Sequence, residues 1–276
     1  METKKLLFHV KNNFSCPYSE VGTKAHTLNN ISSIVNVPRY WTISEEFFES
    51  FLLKCGIESI ATFFINDFSL KYKQLINQCD FIIEGDYTFP INKKYIVRSS
   101  IVPYERTIDF ASEISGAFES IVCDGNNISN AILQVFESVF SEKAYNQVRL
   151  FSLENNIKGM AVVIQEYISP IYSGVIHVTN ENSIHLQWIE GHLSEIVNGN
   201  EFGHSNYIYK NSNNEAIFRG SEKEIAYIRD NHIVNIFSDI LALSSNIFIF
   251  LKKPQEIEWI FDGKNHWIVQ CQELIK

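Results

Sequence analysis

Arg98, Ser99 and Ser100 end a run of strand-forming residues, KYIVRSS (94–100), and a proline follows at 103. A guanidinium presents a fixed fork of donors that matches carboxylate or phosphate oxygens, and two hydroxyls beside it add neutral donors. The cluster suits an oxyanion; a strand-end arginine paired with a surface Asp or Glu fits the same residues. Lys24 is a second cation. It follows Gly22-Thr23 at an expected helix start, where backbone N–H groups and the helix dipole favour negative charge. As a solvated first-turn lysine it would need no ligand. Farther on, Glu258 and Gln270 lie on two alternating runs, EIEWIFDG and HWIVQCQE, joined by the hairpin signal Asp262-Gly263-Lys264-Asn265. Alternation sends Glu256, Glu258 and Gln270 to one face. A carboxylate beside an amide oxygen is a hard donor set for Mg²⁺, and the polar outer face of an amphipathic hairpin reads the same way.

These residues need elements to hold them. TISEEFFESFLLKCG (42–56) reads as a helix capped by Ser44 and closed by Gly56. The stretch from Ala131 to Phe140 has helical spacing with Ser129 or Asn130 as its cap, and HIVNIFSDILALSSNI (232–247) is a third helix. Strands are expected at KYIVRS, MAVVIQEYI, SGVIHVT, SIHLQWI, NYIYK and the terminal pair. Helices dominate the first half and antiparallel strands the second, which is an α+β pattern with two lobes, 1–180 and 181–276.

The chain has 276 residues, is 45% apolar and carries a formal net charge of −9 without a long basic run. That balance argues against nucleic acid or an anionic membrane as partner. Five scattered cysteines without CxxC spacing read as reduced thiols, and the short apolar patch at the start lacks the length of a signal segment. The apolar run 239–253 is interrupted by Ser244, Ser245 and Asn246, so no membrane span is read there, and a cytoplasmic location is expected. None of the eight histidines shows HxH, HxxxH or HExxH spacing.

Four stretches, in order, resemble a known family. GTKAHTLNNISSIVNVPRYWTIS (22–44) is similar to the Gly-Lys-Ala opening and Val-Pro turn of the ATP-binding domain of phosphoenolpyruvate synthases and pyruvate phosphate dikinases. VRSSIVPYERTIDFASEISGAFESI (97–121) resembles its Arg-Ser-Ser strand and phosphate loop. MAVVIQEYISPIYSGVIHV resembles the central hinge and Ser-Gly-Val strand, and PQEIEWIFDGKNHWIVQCQE (254–273) resembles the closing hairpin. Rifampin phosphotransferase and amino-acid amide kinases share this domain.

The resemblance implies a two-lobed ATP-grasp fold, with ATP and Mg²⁺ as cofactors. It implies that Lys24 and Arg98 contact the phosphates and that Gly116, in a loop with Ser112 and Ser115, approaches them closely. Main-chain groups at Gln165, Glu166, Tyr167 and Ile168 would meet the adenine edge, and Glu195 would reach the ribose. Glu258 and Gln270 would hold the metal with help from Glu256. The implied activity is phosphotransfer from ATP to a histidine on a separate domain or subunit, or directly to a small-molecule acceptor. Three departures stand out: Gln272-Glu273 replaces Arg-Pro, His177-Val178 replaces Phe-Thr, and EGHLSE (190–195) loosens a Gly-Leu-Gly-Glu turn. The family arginine neutralises the phosphoryl group in flight, and Gln272 brings no charge to that catalytic position. A non-catalytic ATP sensor is the alternative reading.

Overall fold

A computed structural model describes residues 6–7, 17–66, 68–79, 83–84, 89–104, 114, 116–192, 203–213, 215–230 and 233–274. The chain divides into two units, Met1–Asn29 with Arg39–Tyr167 and Asn30–Pro38 with Ile168–Lys276.

In the first unit, β2 (Tyr40–Ile43), β4 (Lys94–Pro103), β5 (Ser120–Asp124) and β6 (Ile157–Glu166) form an antiparallel sheet in the order β2-β6-β4-β5. A short parallel pair, β1 (Leu6–Leu7) with β3 (Ile83–Glu84), stands apart from it. The helices are α1 (Tyr18–Ile31), α2 (Glu45–Lys54), α3 (Ile60–Ile65), α4 (Lys71–Asn77), α5 (Ile128–Ser138) and α6 (Glu142–Leu150). Alternation along β4 and β6 gives the sheet two characters. Tyr95, Val97, Val162 and Ile164 join Phe47, Phe48, Phe51, Phe63 and Phe136 in the main core, and the Phe48 and Phe136 rings lie 4.8 Å apart. On the other face, Val163 packs with Val21 and Ala25 of α1.

Local signals account for the helix ends. Ser44 accepts from the amide of Phe47 and caps α2, and the chain turns at Gly56, whose amide reaches the carbonyl of Leu53. The helix expected across 131–140 is α5. It begins at Ile128, so neither Ser129 nor Asn130 is its cap. It stops at Ser138, and Ser141 restarts the chain as a helix by accepting from Ala144 N at 3.1 Å.

The second unit is a six-stranded antiparallel sheet. Its strands are β7 (Tyr172–Asn180), β8 (Ser183–Glu190), β9 (His204–Lys210), β10 (Ala216–Arg219), β11 (Gln255–Phe261) and β12 (His266–Glu273), in the order β10-β9-β8-β7-β11-β12. Among the described residues two helices accompany it, α7 (Glu222–Asp230) and α8 (Val234–Leu251). Alternate residues of the strands face α8: Ile176, Leu186, Trp188, Ile257 and Trp259 are buried with Phe237 and Ile240, and Trp188 meets Phe237 edge-on at 5.0 Å. The division falls between Tyr167 and Ile168, earlier than residue 180, and β7 lies wholly in the second unit because it is paired with β8 and β11 there.

Among the described residues one helix, α8, is long and apolar enough by length and composition to cross a membrane. Ser244 and Ser245 do not interrupt it. The Ser245 hydroxyl lies 2.7 Å from Leu241 O and 2.6 Å from Glu181 O, which satisfies it within the helix and a neighbouring turn.

Candidate functional site

In the first unit, α1 is broken at Gly22, whose φ of 72° and ψ of −177° are not helical. The break serves a close approach. A Cβ at Gly22 would stand 2.5 Å from Ile101 O and 2.6 Å from Ser100 O, so only glycine fits against β4. Ser100 fastens the turn: its hydroxyl donates to Val21 O at 2.7 Å and accepts from Ala25 N at 3.4 Å. Ser100 is therefore committed to the backbone of α1 and is not the spare donor that its place beside Arg98 suggested. Ser99 points the other way. With Thr23, Lys24 and Gly116 it lines a recess of about 20 Å³, closed by Ile101, Ile114 and Phe118. That is room for about one water molecule or the end of an oxyanion, not for a triphosphate.

Arg98 does not line this recess. It stands half-buried on the sheet face that Ser100 shares, with Val163 and Ser120 as its ladder neighbours. Gly116 has φ 75° and open space around its Cβ position, so its glycine serves backbone conformation, not close contact. Ser112, Ser115 and Glu195 lie outside the described residues.

The segment expected at the adenine edge is partly committed to the sheet. Glu166 N donates to Arg39 O at 2.8 Å and Tyr167 N to Lys94 O at 3.0 Å. The Glu166 carboxylate takes the ammonium of Lys93 at 2.8 Å. Gln165 is buried at 1% exposure, and its Nε2 has no hydrogen-bond partner among the described residues. Ile168 is half-buried and begins the second unit's part of the chain.

In the second unit the hairpin β11–β12 forms as its sequence dictates. The Asp262 carboxylate accepts from the amides of Lys264 and Asn265 at 2.8 and 2.7 Å and from the Trp267 indole at 2.8 Å. Burial pushes that carboxyl up, but the donors of Asn265, Trp267 and Lys264 outweigh it and bring the pKa down to about 2. The register then sets Glu258 directly opposite Gln270 and Glu256 directly opposite Gln272. All four side chains share the face turned away from α8. Strand order extends these pairs into two rows. One runs Gln272, Glu256, His177, His185, Tyr207; the other runs Gln270, Glu258, Val175, Gln187, Ser205.

The first row is joined by hydrogen bonds. Gln270 Nε2 lies 3.5 Å from Gln272 Oε1, Gln272 Nε2 donates to Glu256 Oε1 at 2.6 Å, and His177 Nε2 meets Glu256 Oε2 at 3.1 Å. Both Glu256 oxygens are thus engaged inside the protein, by Gln272 and His177. Gln272 is buried at 3% exposure with its amide held by Glu256. His185 bonds Ser205 Oγ at 2.8 Å and stacks on Tyr207; burial and then His177 lower its pKa, which favours the neutral ring. The oxygens of Glu258 and Gln270 fit the hard-donor preference of Mg²⁺. The two histidines were invisible as site residues in the sequence, because strand order, not local spacing, brings them beside Glu256.

The chain belongs to the family described as pyruvate phosphate dikinase, AMP/ATP-binding domain, whose model matches residues 18–275. It is an ATP-binding domain of that family, with the α+β architecture expected of it. No curated protein matches the sequence. Solved structures similar to it include D-alanine–D-alanine ligase from Bacillus anthracis, with TM-score 0.36, 8% identity, and coverage of 91% of this chain and 55% of that one. The ATP-grasp ligase PsnB, solved with a precursor peptide and AMPPNP, matches with TM-score 0.32, 8% identity, and coverage of 92% and 51%. Cdc123 from Schizosaccharomyces pombe matches with TM-score 0.42, 10% identity, and coverage of 90% and 81%. The chain spans about half the length of each ligase.

Proposed function

We propose that this chain is the ATP-binding part of a cytoplasmic, Mg²⁺-dependent phosphotransferase. Lys24 and Arg98 of the first unit hold the phosphates, with the positive φ of Gly116 shaping the recess beside Lys24. Glu258 and Gln270 of the second unit hold Mg²⁺, which neutralises phosphate charge when bound. Glu195 would contribute to the ribose. With the amides of 166 and 167 occupied, the adenine edge is met by carbonyl oxygens of Gln165–Tyr167 or by the amide of Ile168. The acceptor is a histidine on a separate domain or subunit, or a small molecule. Neither nucleic acid nor a membrane is a partner.

The observation that carries this reading is the pairing of Glu258 with Gln270 across the hairpin in a chain of an ATP-binding family. The test is incubation with ATP and Mg²⁺ followed by nucleotide analysis. AMP is expected from a dikinase-like route and ADP from a simple kinase; calorimetric evidence that ATP does not bind would end the reading.

A second reading rests on Gln272. Its amide is buried against Glu256 and supplies no positive charge, which suits a chain that binds ATP without cleaving it. ATP recovered intact after binding, with turnover appearing in Gln272→Arg, would favour that sensor.

A further inference from the structure

Two helices of the first unit end on sulfur. Cys55 closes α2, and the turn around it pins the backbone. Its amide donates to Phe51 O at 3.1 Å, Gly56 N to Leu53 O at 3.0 Å and Ile57 N to Leu52 O at 2.9 Å. Cys79 follows the end of α4, with its amide on Ile76 O at 3.0 Å. Both side chains enter the main core, Cys55 buried at 6% exposure and Cys79 half-buried at its edge. Both are free thiols, and their side chains hydrogen-bond to one another.

A thiol is a weak donor and a weak acceptor, so this contact adds little that aliphatic side chains would not supply. Nor does it belong to a metal site: among the described residues no group of three or more His, Cys, Asp or Glu is placed to hold an ion. What sulfur brings to such a contact is redox chemistry, and the two residues differ in their access to it. Burial, then the hydrogen bond and charge of Cys79, push the Cys55 thiol up and outweigh Lys54, which pulls it down. Cys55 therefore stays a protonated thiol away from solvent, whereas Cys79 is partly exposed.

We infer that Cys55 and Cys79 form a reversible disulfide, in which Cys79 meets a peroxide and Cys55 resolves the product. The Cys79 sulfur attacks one oxygen of hydrogen peroxide, the O–O bond breaks, and a sulfenic acid and water result. The Cys55 sulfur then attacks the Cys79 sulfur; the S–S bond forms and the S–O bond breaks. The Cys55 proton leaves with the hydroxyl as a second water, so two electrons pass from the thiol pair to the peroxide. The sulfurs already touch, and side-chain rotation brings them to the bonding distance of about 2 Å. That proximity offsets the weak nucleophilicity of a neutral thiol. The bond ties the end of α2 to the chain after α4 and closes α3 and α4 into one ring. This makes the helical layer of the first unit responsive to peroxide, whether or not nucleotide is bound.

The experiment treats the reduced, intact chain with hydrogen peroxide, blocks the remaining thiols by alkylation in denaturant, and maps cross-links after non-reducing digestion. The expected result is a peptide pair joined through Cys55 and Cys79, with both residues lost to alkylation and both regained after a dithiol reductant. In Cys55→Ser the cross-link is absent and Cys79 is trapped as a sulfenic acid by a cyclic dione. In Cys79→Ser the Cys55 thiol survives the same peroxide and is alkylated in full. Wild-type protein in which both residues stay thiols, or in which Cys79 is oxidised without joining Cys55, overturns the inference. So does a cross-link of either residue chiefly to another cysteine. If a serine variant fails to fold, the wild-type map alone decides.

Discussion

Ser100 and Arg98 alternate with Ser99 along β4, and this alternation assigns three neighbouring polar residues to two tasks. Ser100 and Arg98 share the face toward α1, where Ser100 ties Val21 and Ala25 to the sheet; Ser99 turns to the recess of Lys24 and Gly116. Ser100→Ala therefore leaves Val21 O without its donor in a buried place. It is expected to cost about 1–3 kcal/mol of unfolding free energy in urea titration, whereas Ser99→Ala lowers ATP affinity more than stability. Arg98→Ala is expected to weaken ATP binding about tenfold to a hundredfold, the loss of one charge-assisted contact. Unchanged calorimetric affinity would remove Arg98 from the site. The sequence singled out Arg98 as a candidate because a cation at a strand end is chemically conspicuous. It did not separate the two serines, since the same residue type can cap a neighbour's backbone or donate to a ligand.

Elements were readable where their signals are local. The hairpin at Asp262–Asn265 is written in four consecutive residues, and the cap and end of α2 in Ser44 and Gly56. The end of α5 at Ser138 is not marked by the apolar spacing, which continues past it; Ser141, accepting from Ala144 N, starts α6 instead. The Glu256–His177 pair was missed because β7 and β11 are far apart in sequence and meet only through sheet order. Asp262 carries a prediction at this scale. Its folded pKa of about 2 lies below the ordinary carboxylate value of about 4. The hairpin's share of stability is thus present above pH about 4 and lost as pH falls toward 2. Asp262→Ala should flatten that acid limb and remove part of the tertiary signal of Trp267, read by fluorescence; an acid limb unchanged in the mutant would show that Asp262 has no part in it. Gly22→Ala is expected to cost about 1–3 kcal/mol from backbone strain alone, because φ 72° and the Ile101 carbonyl both exclude a Cβ. A stable Gly22→Ala protein with unaltered ATP affinity would show that the turn is not needed.

At the scale of the whole molecule, each of the two units carries one antiparallel sheet with its own set of polar side chains. The first unit offers Lys24 and Arg98; the second offers Glu258, Gln270 and a histidine pair on one face of its sheet. The α+β class followed from hydrophobic patterning, and the family from four ordered stretches, but neither reveals the cross-strand rows, which depend on which strands lie side by side. The most direct test is calorimetric titration with ATP, with and without Mg²⁺, of the wild type and of Glu258→Ala. ATP affinity is expected to rise with Mg²⁺ in the wild type and to lose that rise in Glu258→Ala, while binding without metal stays the same in both. A wild type indifferent to Mg²⁺, or a Glu258→Ala protein that keeps the full gain, would contradict a metal-assisted nucleotide site built on this hairpin.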